Sequence, residues 1–351
     1  MKHTHTIPVH ILSGFLGSGK TTLLTRALDY YQLNGRKPAV LMNELGEVNL
    51  DGMQVSAEVP MTEMLGGCIC CTILGDLGLE LKQLIDEHQP DVVFVESTGA
   101  ANPMEMLDGV TDASLLTRVE LASVVTVVDA ALFAEKSESP KSRTYRLMAD
   151  QIRCATLILF NKTDLVPPSE WLRLEALIRE LNPSAPIVRT VRSEIDFTLF
   201  DRLEGGVVRH HRDNALGCTC AEGHSHHEHP DDHGCAVNHA EHSGHSEDAA
   251  KAAHHSHDHV MAYTHFFTRA IDSERFEALV GRLPDNIFRA KGILRFTDTA
   301  SPFMFHYAYR QMDFMKIAPK ENVPSVAVFI GEHFDRSVLE TELTALECSE
   351  S

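Results

Sequence analysis

The sequence predicts an α/β protein: a three-layer, mostly parallel β-sheet covered by helices on both faces, followed by a small α+β C-terminal domain. Three observations predict it. From residue 7 to about 200, short continuous apolar runs alternate with amphipathic stretches. Strands that are apolar throughout are those buried on both faces, as in a parallel sheet. A glycine-rich turn, GFLGSGKT (14–21), separates the first apolar run from the first amphipathic one. The composition then breaks over residues 222–259, and regular patterning resumes near Tyr263.

The elements follow in order. IPVHIL (7–12) reads as a buried strand and KTTLLTRALDYYQ (20–32) as the helix after it. PAVLM (38–42), DVVFVE (91–96), ELASVVTVVDA (120–130) and ATLILFN (155–161) read as further strands, with a helix expected over TILGDLGLELKQLID (72–86). WLRLEALIRELN (171–182) is helical, its leucines and Ile178 falling near a 3.6 period. PIVRT (186–190) closes the series. Residues 222–259 hold twelve histidines, eight acids and one large aliphatic, Val237. No core can form from such a stretch, so disorder in the absence of a ligand is expected. Beyond it, THFFTRA (264–270), ILRF (293–296), FMFHYAY (303–309) and SVAVFIG (325–331) read as strands. SERFEALVGRL (273–283), with Ser273 as its N-cap, and VLETELTAL (338–346) read as helices. The expected organisation is therefore residues 1–209, an insert over 210–262, and a C-terminal domain over 263–351.

The net charge of −19 repels nucleic acid and anionic membrane, so neither is expected as a partner. It suits a protein that handles cations. No run of about 18 apolar residues occurs, and the first residues lack a small-residue cleavage site. The expected location is the cytoplasm, where thiols stay reduced.

GFLGSGKT fits G-x-x-x-x-G-K-[ST] between a strand and a helix, which is the context this phosphate-binding motif requires. The fold expected is that of the P-loop NTPases. Gly14, Gly17 and Gly19, with Ser18, let backbone N–H groups curl around phosphate oxygens, and the helix N-terminus at Thr21 and Thr22 adds positive potential. Lys20 is expected to reach the β- and γ-phosphates, and Thr21 to give its hydroxyl to Mg²⁺. NKTD (161–164) ends a strand, where Asp164 can accept two hydrogen bonds from the guanine edge while Asn161 and Lys162 brace the loop and cover the base. The nucleotide expected is GTP. ESTG (96–99) also ends a strand; Glu96 can hold a Mg²⁺-bound water and the Gly99 N–H can reach the γ-phosphate.

Cys68, Cys70 and Cys71 crowd into GGCICC (66–71). They can be buried filler, halves of disulfides or ligands for a soft metal. Adjacent cysteines rarely bridge without strain, and a reducing compartment disfavours disulfides further.

In this order, GFLGSGKTTLL, NELGEVNLDG, GGCICC, ESTGAANP and NKTD resemble the CobW-like family of P-loop metal-chaperone GTPases, of CobW/HypB/UreG type, and FRAKGILRF…VFIG resembles that family's second domain. The resemblance implies slow GTP hydrolysis coupled to a transition metal, usually Zn²⁺ and in some members Co²⁺, and delivery of that metal to a client metalloprotein. Here the first switch reads NELGEVNLD, with Leu45 and Asn49 departing from the usual pattern, and the guanine-capping loop is matched only loosely by TVRSE (190–194). Lying between two expected switches, Cys68, Cys70 and Cys71 become candidate metal ligands, with Glu44, a histidine or a water completing the set. Glu47 and Asp51 are candidates for metal or water contacts, Asp51 for Mg²⁺; the alternative is a pair of solvated loop acids. His224, His226, His227 and His229 head a histidine-rich tract suited to several weaker, exchangeable sites. A homodimer is a further possible assembly. The competing expectations are a metal buffer regulated by GTP, or a GTPase activating a cobalt- or cobalamin-related metalloenzyme.

Overall fold

Strand β1 (Ile7–Ser13) is apolar almost throughout because helices cover both of its sides. The computed structural model describes residues 6–43, 59–63, 73–99, 101–204, 260–308 and 310–347. Within them β1 lies between β4 (Val92–Ser97) and β5 (Val119–Asp129). The strands β2 (Pro38–Asn43), β3 (Met61–Glu63), β6 (Leu157–Asn161) and β7 (Ile187–Arg189) complete a sheet ordered β3-β2-β4-β1-β5-β6-β7. Every neighbouring pair in it is parallel.

Alternation along each strand sorts side chains between two layers. Leu12 and Phe94 face α1 (Lys20–Leu33), meeting Leu23, Leu24, Leu28 and Tyr31. Val9, Ile11, Val93 and Val95 face α2 (Ile73–His88) and α3 (Pro103–Leu116). Helices α4 (Ala130–Ser137), α5 (Arg143–Arg153) and α6 (Pro168–Leu181) cover Val128, Ile158 and Phe160, and α7 (Thr198–Glu204) sets Phe200 and Leu203 into the α1 layer. The chain leaves β1 toward β2 on one side, while β5 leads to β6 on the other. That divergence opens a crevice at the carboxyl ends of β1 and β5, where ligands bind in open α/β sheets.

A second sheet is antiparallel. Its strands β8 (Val260–Phe267), β9 (Ile287–Leu294), β10 (Phe303–Ala308), β11 (Gln311–Lys316) and β12 (Ser325–Glu332) run in the order β11-β10-β9-β12-β8. Helices α8 (Ser273–Val280) and α9 (Arg336–Glu347) cover one face. The other face packs Val260, Ile293, Val326, Val328 and Ile330 against Leu107 and Leu115 of α3 and against Cys154. Helix α3 therefore serves two cores. Arg289 Nη1 donates to both carboxylate oxygens of Asp108 (2.9 and 2.8 Å), and Lys291 Nζ to Asp112 (2.5 Å), at the same junction. Met1–Val207 and Ser256–Ser351 make up one compact unit.

The sequence reading named none of β3, α3, α4, α5, α7 and β11, and two details of the second domain also differ from it. The N-cap of α8 is Asp272, whose carboxylate accepts from Arg275 N (2.9 Å), while Ser273 Oγ donates to Asp298 (2.8 Å). An extended residue one position earlier can aim its carboxylate at the open N–H groups, which Ser273, already helical, cannot do. Strand β8 also begins at Val260, ahead of Tyr263. No helix among the described residues is long and apolar enough to cross a membrane.

Candidate nucleotide site

The loop between β1 and α1 is shaped by glycines. Gly14 has φ 137°, and a Cβ there would lie 2.3 Å from the Val127 carbonyl oxygen. Gly19 has φ 111°, and its Cβ would lie 2.5 Å from Asn161 Nδ2. Only a residue without a side chain fits either place, which is why the loop can wrap closely. Gly17 has open space around it. Lys20 is 6% exposed and its ammonium donates to the carbonyls of Gly14 (2.9 Å) and Phe15 (3.4 Å), which holds it over the loop. Ser18 Oγ is buried without a hydrogen-bond partner among the described residues. Thr21 and Thr22 open the helix and are exposed.

Glu96 pairs in register with Leu12 of β1 and Met42 of β2, at the carboxyl edge of the sheet. Its Oε1 accepts a hydrogen bond from Thr21 Oγ1 (2.9 Å). A hydroxyl and a carboxylate converging beside a phosphate loop are hard oxygen donors of the kind Mg²⁺ takes, so these residues fit that ion. Ser97 Oγ donates to the Leu12 carbonyl (3.0 Å) and pins the same strand end. Gly99 approaches the phosphate loop so closely that a Cβ would stand 2.6 Å from Leu16 N. Its carbonyl accepts from Gln151 Nε2 (3.3 Å).

Asn161 is 2% exposed and joins three loops. Its amide nitrogen donates to Ser18 O (2.8 Å) and Ser193 Oγ (3.2 Å), and its Oδ1 accepts from Ser193 N (3.0 Å). Ser193 Oγ in turn donates to Gly19 O (3.0 Å). TVRSE (190–194) thus lies against both NKTD and the phosphate loop. Lys162, at φ 59°, turns its ammonium to Asp129 Oδ2 (2.7 Å) at the end of β5. Asp164 sits exposed in the short 3-10 turn Thr163–Leu165.

Below the loop, β1 carries His10, fully buried. Its Nδ1 lies 2.7 Å from Ser123 Oγ and its Nε2 3.4 Å from Glu204 Oε1. Tyr31 donates to Glu204 (2.5 Å) and so does Arg36 (2.7 Å). Burial pushes the His10 pKa below its ordinary value, more than the neighbouring Glu204 raises it. For Glu204, burial pushes upward, but hydrogen bonds from His10, Tyr31 and Arg36 together hold it below the usual carboxylate range.

Gly14, Gly17, Ser18, Gly19, Lys20, Thr21, Thr22, Glu96, Gly99, Asn161, Lys162 and Asp164 all lie at the carboxyl edge of one sheet. Glu44, Asp51, Cys68, Cys70, Cys71, His224, His226, His227 and His229 lie outside the described residues. Among the described residues no group of three or more His, Cys, Asp or Glu is placed to hold a metal ion. The sequence reading reached Ser193 only loosely, as part of TVRSE (190–194), and missed Asp129 and Gln151; an acid closing an apolar strand, as in VTVVD, is the signal that pointed to Asp129.

The model of the CobW/HypB/UreG nucleotide-binding domain matches residues 8–189, and that of the cobalamin synthesis protein cobW C-terminal domain matches 260–347. Zinc-regulated GTPase metalloprotein activator 1 of Dictyostelium discoideum is 34% identical over 226 residues, covering 54% of this chain and 46% of that protein. Zinc chaperone CobW of Pseudomonas aeruginosa is 30% identical over 224 residues, covering 56% and 59%. The chain spans about half the length of the curated relatives it matches. The crystal structure of Zn(II)-bound YjiA GTPase from E. coli aligns over 98% of this chain and 99% of that one, at 22% identity and a TM-score of 0.45. Since the first model runs from β1 to β7 and the second takes in the whole antiparallel sheet, the chain belongs to the CobW/HypB/UreG family.

Proposed function

We propose that this protein is a GTP-hydrolysing metallochaperone that holds a transition metal, Zn²⁺ before Co²⁺, at Cys68, Cys70 and Cys71 and hands it to a client metalloprotein. The observation that carries the reading is the 2.9 Å hydrogen bond from Thr21 to Glu96. It ties the phosphate loop to the strand end of ESTG, so a nucleotide that recruits one moves the other. The names of the relatives, zinc chaperones and a zinc-regulated GTPase metalloprotein activator, support zinc as cargo.

In this reading the glycine loop cradles the phosphates and Lys20 leaves its carbonyl partners for the β- and γ-oxygens. Thr21 and Glu96 would hold Mg²⁺, with Asp51 from the first switch; the ion offsets the charge that develops on the phosphates. Asp164 accepts from the guanine edge, Asn161 keeps the loops in register, and the Gly99 N–H reaches the γ-phosphate. Loss of the γ-phosphate releases the switches on either side of the cysteines and loosens the cargo site, whose fourth ligand in this reading is Glu44. By linkage, the metal tightens GTP binding by the same factor that GTP tightens metal binding. Turnover is slow.

The test is Zn²⁺ affinity by chelator competition on protein lacking residues 222–259, with Mg²⁺ plus a non-hydrolysable GTP analogue and then with GDP. A site that is much tighter with the analogue, and is lost when Cys68, Cys70 and Cys71 become serine, supports the proposal. Equal affinity in both states removes it. The twelve histidines of 222–259 then favour the second reading, a metal buffer regulated by GTP.

A further inference from the structure

A cleft of about 570 Å³ opens between α2, the start of β5 and the turns that follow β8 and precede β12. Four of its lining residues are basic: Lys82, Arg118, Arg269 and Arg295. Its two acids, Asp86 and Glu321, are both taken up by Lys82, at 2.7 and 3.3 Å. Arg295 is held by uncharged groups, Asn322 Oδ1 (2.9 Å) and Val323 O (3.1 Å). The Arg118 guanidinium lies over the Phe266 ring, 5.1 Å from its centre. Among the described residues none of the three guanidinium groups pairs with a carboxylate, although Glu347 Oε1 accepts from the Arg269 backbone N (3.3 Å).

Three such arginines at one cleft are unexpected on a chain of charge −19. Like charges gathered together repel unless an anion joins them, and guanidinium forks match the planar and tetrahedral oxyanions of carboxylate and phosphate. Arg118 and Arg295 are held in place beforehand, which lowers the entropy cost of gripping a ligand. The volume suits a small molecule. The cleft is also far from the phosphate loop. The Arg118 carbonyl accepts from Ile7 N (2.9 Å) at the first residue of β1, whereas the loop follows Ser13 at the last. A strand of that length separates them by about 20 Å at roughly 3.3 Å per residue.

We propose that this cleft binds a small polyanion, its oxyanion groups gripped by Arg118, Arg269 and Arg295. The site is distinct from the nucleotide site and takes a phosphate-bearing or polycarboxylate ligand.

The experiment is calorimetric titration of the full chain with GDP and Mg²⁺ already bound, so that the phosphate loop is filled. Inorganic phosphate is the probe in one arm and tricarballylate in the other, and the arm that saturates names the chemistry. Saturable binding with Kd below about 10 mM, weakened about tenfold or more by Arg269→Gln and by Arg295→Gln, is expected. Both side chains are exposed, so these variants keep the fold, whereas Arg118 stacks on Phe266. Residual binding at the phosphate loop would not respond to either substitution. No saturation below about 10 mM in both arms, or binding unchanged in both variants, overturns the proposal.

Discussion

Asn161 makes three hydrogen bonds from one buried amide, to Ser18, Ser193 Oγ and Ser193 N. Asn161→Ala strands a carbonyl and an N–H in a dry corner, so a loss of about 2–4 kcal/mol in stability is expected, read by urea denaturation. The same variant should weaken a fluorescent GDP analogue by at least about tenfold, because the phosphate loop loses its lateral support. A second prediction concerns pH. The His10 pKa lies below its ordinary 6.5, so the fold disfavours its proton, and the cost of charging it appears as pH falls below that value. Glu204 lies below its ordinary 4.5, so its contribution is complete above that pH and is lost only on stronger acidification. Between pH 7.5 and 5.5 the parent protein should therefore lose urea resistance through His10, and His10→Gln should lose less over the same interval. At this scale the phosphate loop, Glu96 and NKTD were legible because each motif is contiguous in sequence. Ser193 was legible only as part of the loosely matched TVRSE, since its own use depends on meeting Asn161 and Gly19, which are far away along the chain.

Helix α3 shows what a sequence pattern can hide. Its buried residues include Met106, Leu107, Val110, Ala113 and Leu115, spread around the helix rather than along a stripe. One set meets the parallel sheet and the other the antiparallel sheet, and the polar stripe left between them is narrow, with Asp108 and Asp112 paired to Arg289 and Lys291. The strands of the parallel sheet were easier, because a run such as VVFV can only be buried on both sides. Strand β11 (QMDFMK), at an edge and largely exposed, alternates over only four residues, with Met312 and Phe314 turned to the core, too short a run to mark a strand. If α3 does serve two cores, Leu107→Ala opens a cavity where its side chain has no exposure at all, at a cost of about 2–4 kcal/mol. Leu172→Ala, at a side chain 75% exposed on α6, should stay within about 0.5 kcal/mol. Equal urea midpoints for the two variants would show that the contact between α3 and the second sheet carries no stability.

At the scale of the molecule, the shared helix means that the two sheets should open together. Cys154 reports on this. It is 4% exposed, packed among Leu107, Leu115, Val326 and Val328, and burial pushes its thiol pKa to about 12. At neutral pH it is therefore neither reachable nor ionised until the packing around it opens. With the other seven of the eight cysteines replaced by serine, Ellman's reagent reads that opening alone. A stability of about 5 kcal/mol or more would slow labelling at least roughly 10³-fold relative to urea-unfolded chain. The informative arm adds GDP. The proposed nucleotide site lies at the carboxyl edge of the parallel sheet and does not include Cys154, so GDP can protect the thiol only if exposing Cys154 also destroys that site. One cooperative unit predicts labelling slowed in proportion to one plus the ratio of GDP to its Kd. A C-terminal sheet that peels away by itself predicts the same rate with and without GDP, and α3 would then be a surface on which the second sheet rests rather than a core that both sheets share.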